Sequence, residues 1–497
     1  MILLNFIKYY LSKDKIKKMK ENNEENENEK IINKDAYNIN VGEEIKVNTS
    51  KKGLIILAVS IILIIVALVL ILYFVFKNNI EEQNYVVAKY LITDTTEYNA
   101  LFYRTFNGSI EKMLVNGTEV TIDNNRTFDQ LGVVEVELKF NKKLKSLDNL
   151  FYHCHSLEEV DLSFLFSEEV TTASDMFNGC RNLKKINFGD FDSKNVYNIS
   201  NMFSGCEKLS TVDVDIFDYD KLIDIYGLFS NCYNLQKINF GEFSTKNVIN
   251  MSKLFYGCFS LTEINFNEIK FFETQNVEDM SYMFYNCINL ENIFFGNWDT
   301  SKVIHMNNMF DSCQKLRSLD LTLFKTVNVE NMYYMFSNCT NLKLLNLSNF
   351  DTSKVIDMFA MFKDCTNLEQ LEIDNFNTSL VTDMSEMFGN CQNLSDINIS
   401  NFDVRNVENM ISMFEGCDQL TSLNISNFET EKLEYASFFL NDTPNLKYID
   451  LSKFDTLKLK KHDDFFDTNS KDVTLRCNKS IFNLTIPNGW DVIDINE

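Results

Sequence analysis

Eleven cysteines mark a fixed period through most of the chain. Cys154, Cys180, Cys206, Cys232 and Cys258 lie 26 residues apart, Cys287 follows after 29, and Cys313, Cys339, Cys365, Cys391 and Cys417 return to the step of 26. Thr443 stands where the next cysteine would fall. A leucine follows three residues after each of these positions, from Leu157 to Leu446. Self-similarity on this scale specifies a solenoid or an array, in which each repeat is completed by its neighbours.

One unit, read around Cys339, gives the expected local structure. Val329, Met332, Met335 and Phe336 are spaced three and four apart, which predicts a short helix with one apolar side. Leu345–Asn346–Leu347 alternates with period two, which predicts a strand with both leucines pointing inward. Phe350 follows, and Asp351 and Thr352 are residue types that favour a turn or a helix start. A lone unit has too few apolar side chains to offset the entropy of ordering it, so neighbouring coils must share one interior. The expectation is an α/β repeat solenoid with a parallel sheet on one face and short helices on the other.

The Leu-x-x-Leu-x-Leu pattern places the units among leucine-rich repeats. The longer phrase Met-Phe-x-x-Cys-x-x-Leu-x-x-Leu-x-Leu, followed by Ser-Asn-Phe-Asp-Thr at 348–352, resembles the BspA-like leucine-rich repeat surface proteins. That resemblance implies a cell-surface role in adhesion or partner binding, and it implies no catalysis.

Outside the repeats, composition changes sharply. Residues 1–53 hold eleven lysines against nine acids and include a polar low-complexity stretch, the composition of a disordered tail. Residues 54–76, LIILAVSIILIIVALVLILYFVF, carry no charge and are long enough as a helix to cross a bilayer. They read as a transmembrane signal-anchor. Lys46, Lys51 and Lys52 outnumber Lys77 at its flanks, which puts the N-terminus in the cytoplasm and the repeats outside, a single-pass plasma-membrane arrangement. Residues 77–140 alternate in short apolar segments broken by Asn-Gly pairs, which predicts a β-rich N-terminal cap. The repeats run over 141–469, about twelve of them, with a C-terminal cap over 470–497. The three extra residues near Glu268–Glu273 read as a bulge in one coil.

The net charge of −24 argues against a polyanionic partner, so nucleic-acid binding is not expected. Stacked cysteines lie close enough for disulfides, but equivalent side chains point the same way, which favours buried thiols packing as small hydrophobes. His153–Cys154–His155 alternates direction and cannot place three ligands at one metal. With four histidines and no Gly-rich phosphate loop, neither a cofactor nor an enzyme is expected.

A binding surface is expected on the sheet, at outward positions between the inward residues. These are Lys237, Asn239, Glu263, Asn265, Phe294, Asp320, Leu344, Gln370, Glu372, Asp396, Asn398, Asn424 and Tyr448. The expected function is adhesion or ligand recognition, with an extracellular protein or glycan as partner and the bilayer as anchor. A structural coat built by self-association, and a receptor signalling through residues 1–53, are the alternatives.

Overall fold

The computed structural model describes residues 62, 64–70, 84–215, 221–467 and 469–496. It divides into two units, Met1–Val75 and Phe76–Glu497. In the first, Ile62 and Ile64–Leu70 are helical and exposed. No helix among the described residues is long and apolar enough to cross a membrane. This corrects the sequence reading: an uncharged run records hydrophobicity, not the length of a helix, and the spanning segment and single-pass location inferred from it are not supported. The tail over 1–53 and the rest of 54–76 lie outside the described residues.

The second unit opens with strands β1 (Tyr85–Ile92), β2 (Asn99–Ala100), β3 (Ile110–Val115), β4 (Thr118–Val120), β5 (Asn125–Arg126) and β6 (Gly132–Phe140). β1 alternates half-buried and buried residues and pairs antiparallel with β6 on one side. On its other side it pairs antiparallel with β7 (Leu157–Asp161), the strand of the first coil. β7 then pairs in parallel with β8 (Lys185–Asn187). The first coil therefore meets a hydrogen-bonded partner at the edge that stacking leaves open, as an end of a sheet requires.

From there the chain winds as a β-solenoid. Short strands stack in parallel and in register, as in Leu344–Asn346 against Gln370–Glu372. A second ladder of twelve successive parallel bridges runs from Ser146 to Lys461, one for each coil. At the C-terminal end Ser422–Asn424, Tyr448–Leu451, Thr474–Cys477 and Asp491–Asp494 form one four-stranded parallel sheet. The three-residue surplus becomes a 3-10 turn over Phe266–Glu268, started by the Asn265 side chain accepting the Asn267 N–H. The bridges continue past it without a break.

The expected short helices are absent, which corrects the α/β reading. Among the described residues of this unit the only helical segments are 3-10 turns at Arg104–Phe106 and Phe266–Glu268. In the coil around Cys339, alternate amides take different partners. Tyr334, Phe336 and Asn338 donate to Phe359, Met361 and Lys363 of the next coil at 2.9, 2.9 and 2.7 Å. Met335, Ser337 and Cys339 donate three residues back in their own coil, to Met332, Tyr334 and Phe336. An α-helix would turn every amide inward on itself and leave none for the neighbour. Two left-handed residues enforce the alternation, Tyr334 at φ 54° and Asn338 at φ 56°. The slot before each cysteine is filled from Gly, Asn, Asp, Ser and His, as with Gly179, Gly205, Asn286 and Asp364. All but serine are types that tolerate this conformation well. The apolar spacing of three and four thus belongs to linked turns.

Inside, equivalent side chains stack from coil to coil. Eleven phenylalanines from Phe151 to Phe414 form ten successive pairs with centroids 5.3–6.0 Å apart and rings within 15° of parallel. Separations above the ring thickness mean offset stacking, the arrangement the ring quadrupoles prefer. All eleven column cysteines are fully buried, free thiols. From Cys180 onward each thiol donates to the phenylalanine carbonyl of the preceding coil, as Cys339 does to Phe310 at 3.2 Å. Both columns end together, where Leu440 replaces the phenylalanine and Thr443 the cysteine.

A third column consists of buried threonines. Thr300 donates its hydroxyl to the Lys325 carbonyl at 2.9 Å and accepts the Lys325 N–H at 2.7 Å. Thr378 does the same with Asp403, at 2.9 and 2.8 Å, and Thr430 with Asp455, at 2.9 and 2.7 Å. Val404, 1% exposed, interrupts the column. Thr378→Val should cost about 1–3 kcal/mol in urea unfolding, because a buried amide and carbonyl lose their partner. Val404→Thr should gain on the order of 1 kcal/mol by the same measurement.

Burial pushes the column thiols up, those of Cys232, Cys287, Cys365 and Cys417 to about 12. A thiol reagent at pH 8 is therefore expected to leave the native column unlabelled and to label it fully in guanidinium.

Candidate functional site

The sheet face is built by the outward residues of the stacked strands. Lys237, Asn239, Glu263, Asp320, Gln370, Glu372, Asp396, Asn398 and Asn424 are exposed there, and Asn265 and Tyr448 are half-buried. Register brings Asn265 opposite Phe294, Leu344 opposite Gln370, and Asn424 opposite Asp450. It does not gather the thirteen residues into one pocket; they run along successive coils.

Several of these side chains are occupied by local structure. In the second outward column, asparagine and aspartate side chains close the turn that follows in several coils. Asn265, Asp320, Asn398 and Asn424 accept the backbone N–H two residues on, from Asn267, Thr322, Ser400 and Ser426. The Thr322 hydroxyl and amide hold the Asp320 carboxyl below the usual carboxylate range. Tyr448 bonds Asp450 at 3.3 Å, and Arg476 reaches the same carboxylate oxygen at 3.2 Å. Phe294 and Leu344 differ from these: they are 44% and 47% exposed in columns otherwise mostly polar.

The opposite, turn face carries a cluster that the sequence reading did not single out. Tyr256 and Tyr285 stack at 4.6 Å, and Tyr282 lies 5.7 Å from Tyr285. Tyr334 packs edge-on against Phe359 at 4.8 Å and lies 6.4 Å from Tyr333. Lys253 sets its ammonium over two rings, 5.3 Å from the Tyr226 centroid and 5.6 Å from that of Tyr282. All of these aromatic side chains are half-buried. The signal was present in the open positions of the repeated phrase. Ser200 and Ser204 of one coil correspond to Tyr226 and Ser230 of the next, and to Ser252 and Tyr256 of the one after.

Asp311 lies in the slot that Tyr256 and Tyr285 fill in the two preceding coils, and it is 8% exposed. Its two oxygens accept from Asn308 Nδ2 and Ser312 Oγ, each at 2.8 Å. No lysine or arginine among the described residues forms an ion pair with it. Burial pushes its carboxyl up, and the hydrogen bonds from Asn308 and Ser312 only partly oppose this. Such a group favours folding while protonated, below its unfolded value, and loses that contribution as pH rises through its raised folded value. Asp311→Asn should therefore raise Tm at pH 7. The gain should vanish below about pH 3.5, where the carboxyl is neutral in both states.

Among the described residues no group of three His, Cys, Asp or Glu side chains is placed to hold a metal ion. His153 and His155 lie with ring centroids 5.2 Å apart, and His155 Nδ1 bonds the Gly179 carbonyl at 2.8 Å.

No curated protein sequence matches the chain. Among solved structures, the TLR13–ssRNA13 complex matches at 13% identity with a TM-score of 0.25, over 63% of this chain and 49% of that one. This chain thus spans about half the length of that protein. A leucine-rich-repeat protein of Leptospira interrogans matches at 13% identity with a TM-score of 0.20, over 67% of this chain and 87% of that one. The family described as "Mycoplasma protein of unknown function, DUF285" matches residues 145–263, 257–372 and 358–479, which together span the solenoid. With its coils matched three times over, the chain belongs to that family.

Proposed function

We propose that this protein is a recognition scaffold that binds a protein ligand along the sheet face of its solenoid. What carries this reading is the contrast between slots. Inward positions stay apolar and similar in size from coil to coil, with the phenylalanine and cysteine unchanged from Phe151 to Cys417, while outward positions vary and place Phe294 and Leu344 in solvent. Repeat proteins use such surfaces for extended contacts, in which a few residues, aromatic ones prominent among them, carry most of the binding energy and apolar neighbours exclude water. In this reading the Met-Phe-x-x-Cys phrase aligns the repeats with the BspA-like group, and adhesion is the form that recognition takes. No catalytic step belongs to it.

The test uses the full chain coated on a surface, challenged with a panel of cultured cells and purified matrix proteins. Retention is expected, falling at least fivefold when Phe294 and Leu344 are both changed to serine while Tm is unchanged. Unaltered retention by the double variant would remove the sheet face from the reading. Ordered self-assembly of the chain with no partner present would favour a structural coat instead.

A further inference from the structure

Asp311 is a buried carboxylate whose hydrogen-bond partners, Asn308 and Ser312, are neutral. Buried carboxylates ordinarily pair with a cation, because desolvation otherwise disfavours their charge. This one lies next to a wall of tyrosines. Tyr285 occupies its slot in the preceding coil, and Tyr334 occupies in the next coil the slot of its partner Asn308, whose N–H donates to the Tyr333 carbonyl at 3.0 Å. The same wall already accommodates an ammonium, since Lys253 sits over Tyr226 and Tyr282. Tyr285, stacked on Tyr256 and packed against Tyr282, is held in place before any partner arrives, which lowers the entropy cost of contact. A net charge of −24 adds a long-range attraction for basic partners.

We propose that Tyr282, Tyr285 and Tyr334, with the Asp311 carboxylate in the coil between Tyr285 and Tyr334, receive a lysine or arginine side chain of a partner protein. Attraction comes from the rings and from a charge that has no internal counter-ion. The uncompensated carboxylate weakens the fold, and a cation brought by a partner would complete it from outside. The site extends the recognition reading to a second face and does not require the sheet face to bind.

Saturation-transfer NMR on the full chain would compare a Gly/Ser peptide carrying one arginine with the same peptide carrying citrulline. The arginine peptide is expected to bind at least tenfold more tightly. Asp311→Asn should bring the two peptides within twofold of each other while leaving Tm at pH 7 equal or higher. Tyr282→Ser should weaken the arginine peptide, and Glu242→Gln, at an exposed acid elsewhere, should not. Equal binding of the two peptides, or an Asp311→Asn variant that still discriminates, would overturn the proposal. So would an equal loss in Glu242→Gln, which would reduce the effect to net charge, or a neutral oligosaccharide binding the cluster in the arginine peptide's place. Phe294→Ser with Leu344→Ser should leave this assay untouched, so failure here and failure of the sheet-face reading are separable.

Discussion

Every coil depends on amides that leave it. Along the turn face alternate N–H groups close a local turn and the others reach the next coil, so the second set has no partner in an isolated unit. A buried amide without a partner is costly, and a coil without neighbours would have several. The left-handed residues at 334 and 338 are the local condition for this arrangement, because they swing successive amides in opposing senses. Their conformational cost recurs in every coil and is offset by bonds that exist only in the stack.

The interior columns follow from the same translation. Once coil-to-coil bonding fixes the register, a phenylalanine meets a phenylalanine and a threonine meets the backbone of the next coil. The thiol column shows how far the fit extends. A phenylalanine carbonyl accepts the N–H of the cysteine in its own coil and the thiol of the cysteine in the next, filling both lone pairs. Where Leu440 and Thr443 enter, both patterns stop. The Phe414 ring then meets Phe439 edge-on at 84° rather than stacked. The Thr443 hydroxyl turns to its own coil, to the Leu440 carbonyl at 2.8 Å.

Because the scaffold uses the inward slots, variation is confined to the outer ones, and there the two faces differ. On the sheet, half of the outward columns are occupied in closing turns, which explains their Asn and Asp content without a ligand. On the turn face the departures from serine and asparagine fall in adjacent coils and touch one another. Tyr256, Tyr282 and Tyr285 come from two successive coils, and only the stacking brings them into one cluster.

The period, the inward leucines and the parallel strand were legible in the sequence because a strand's burial pattern is local and repeats once per coil. Phe294 and Leu344 were legible as outward residues for the same reason. The turn face was not. Spacings of three and four at Val329, Met332, Met335 and Phe336 fit a helix and a run of linked turns equally well, and the choice lies in which amides the next coil takes. The uncharged run at 54–76 likewise states hydrophobicity without stating helix length. Asp311 was invisible for a related reason: whether a carboxylate is buried, and whether a cation stands near it, depends on residues 26 positions away in either direction. Periodicity determined what lies inside each coil, while the contacts between coils decided how the backbone turns and which surface groups meet.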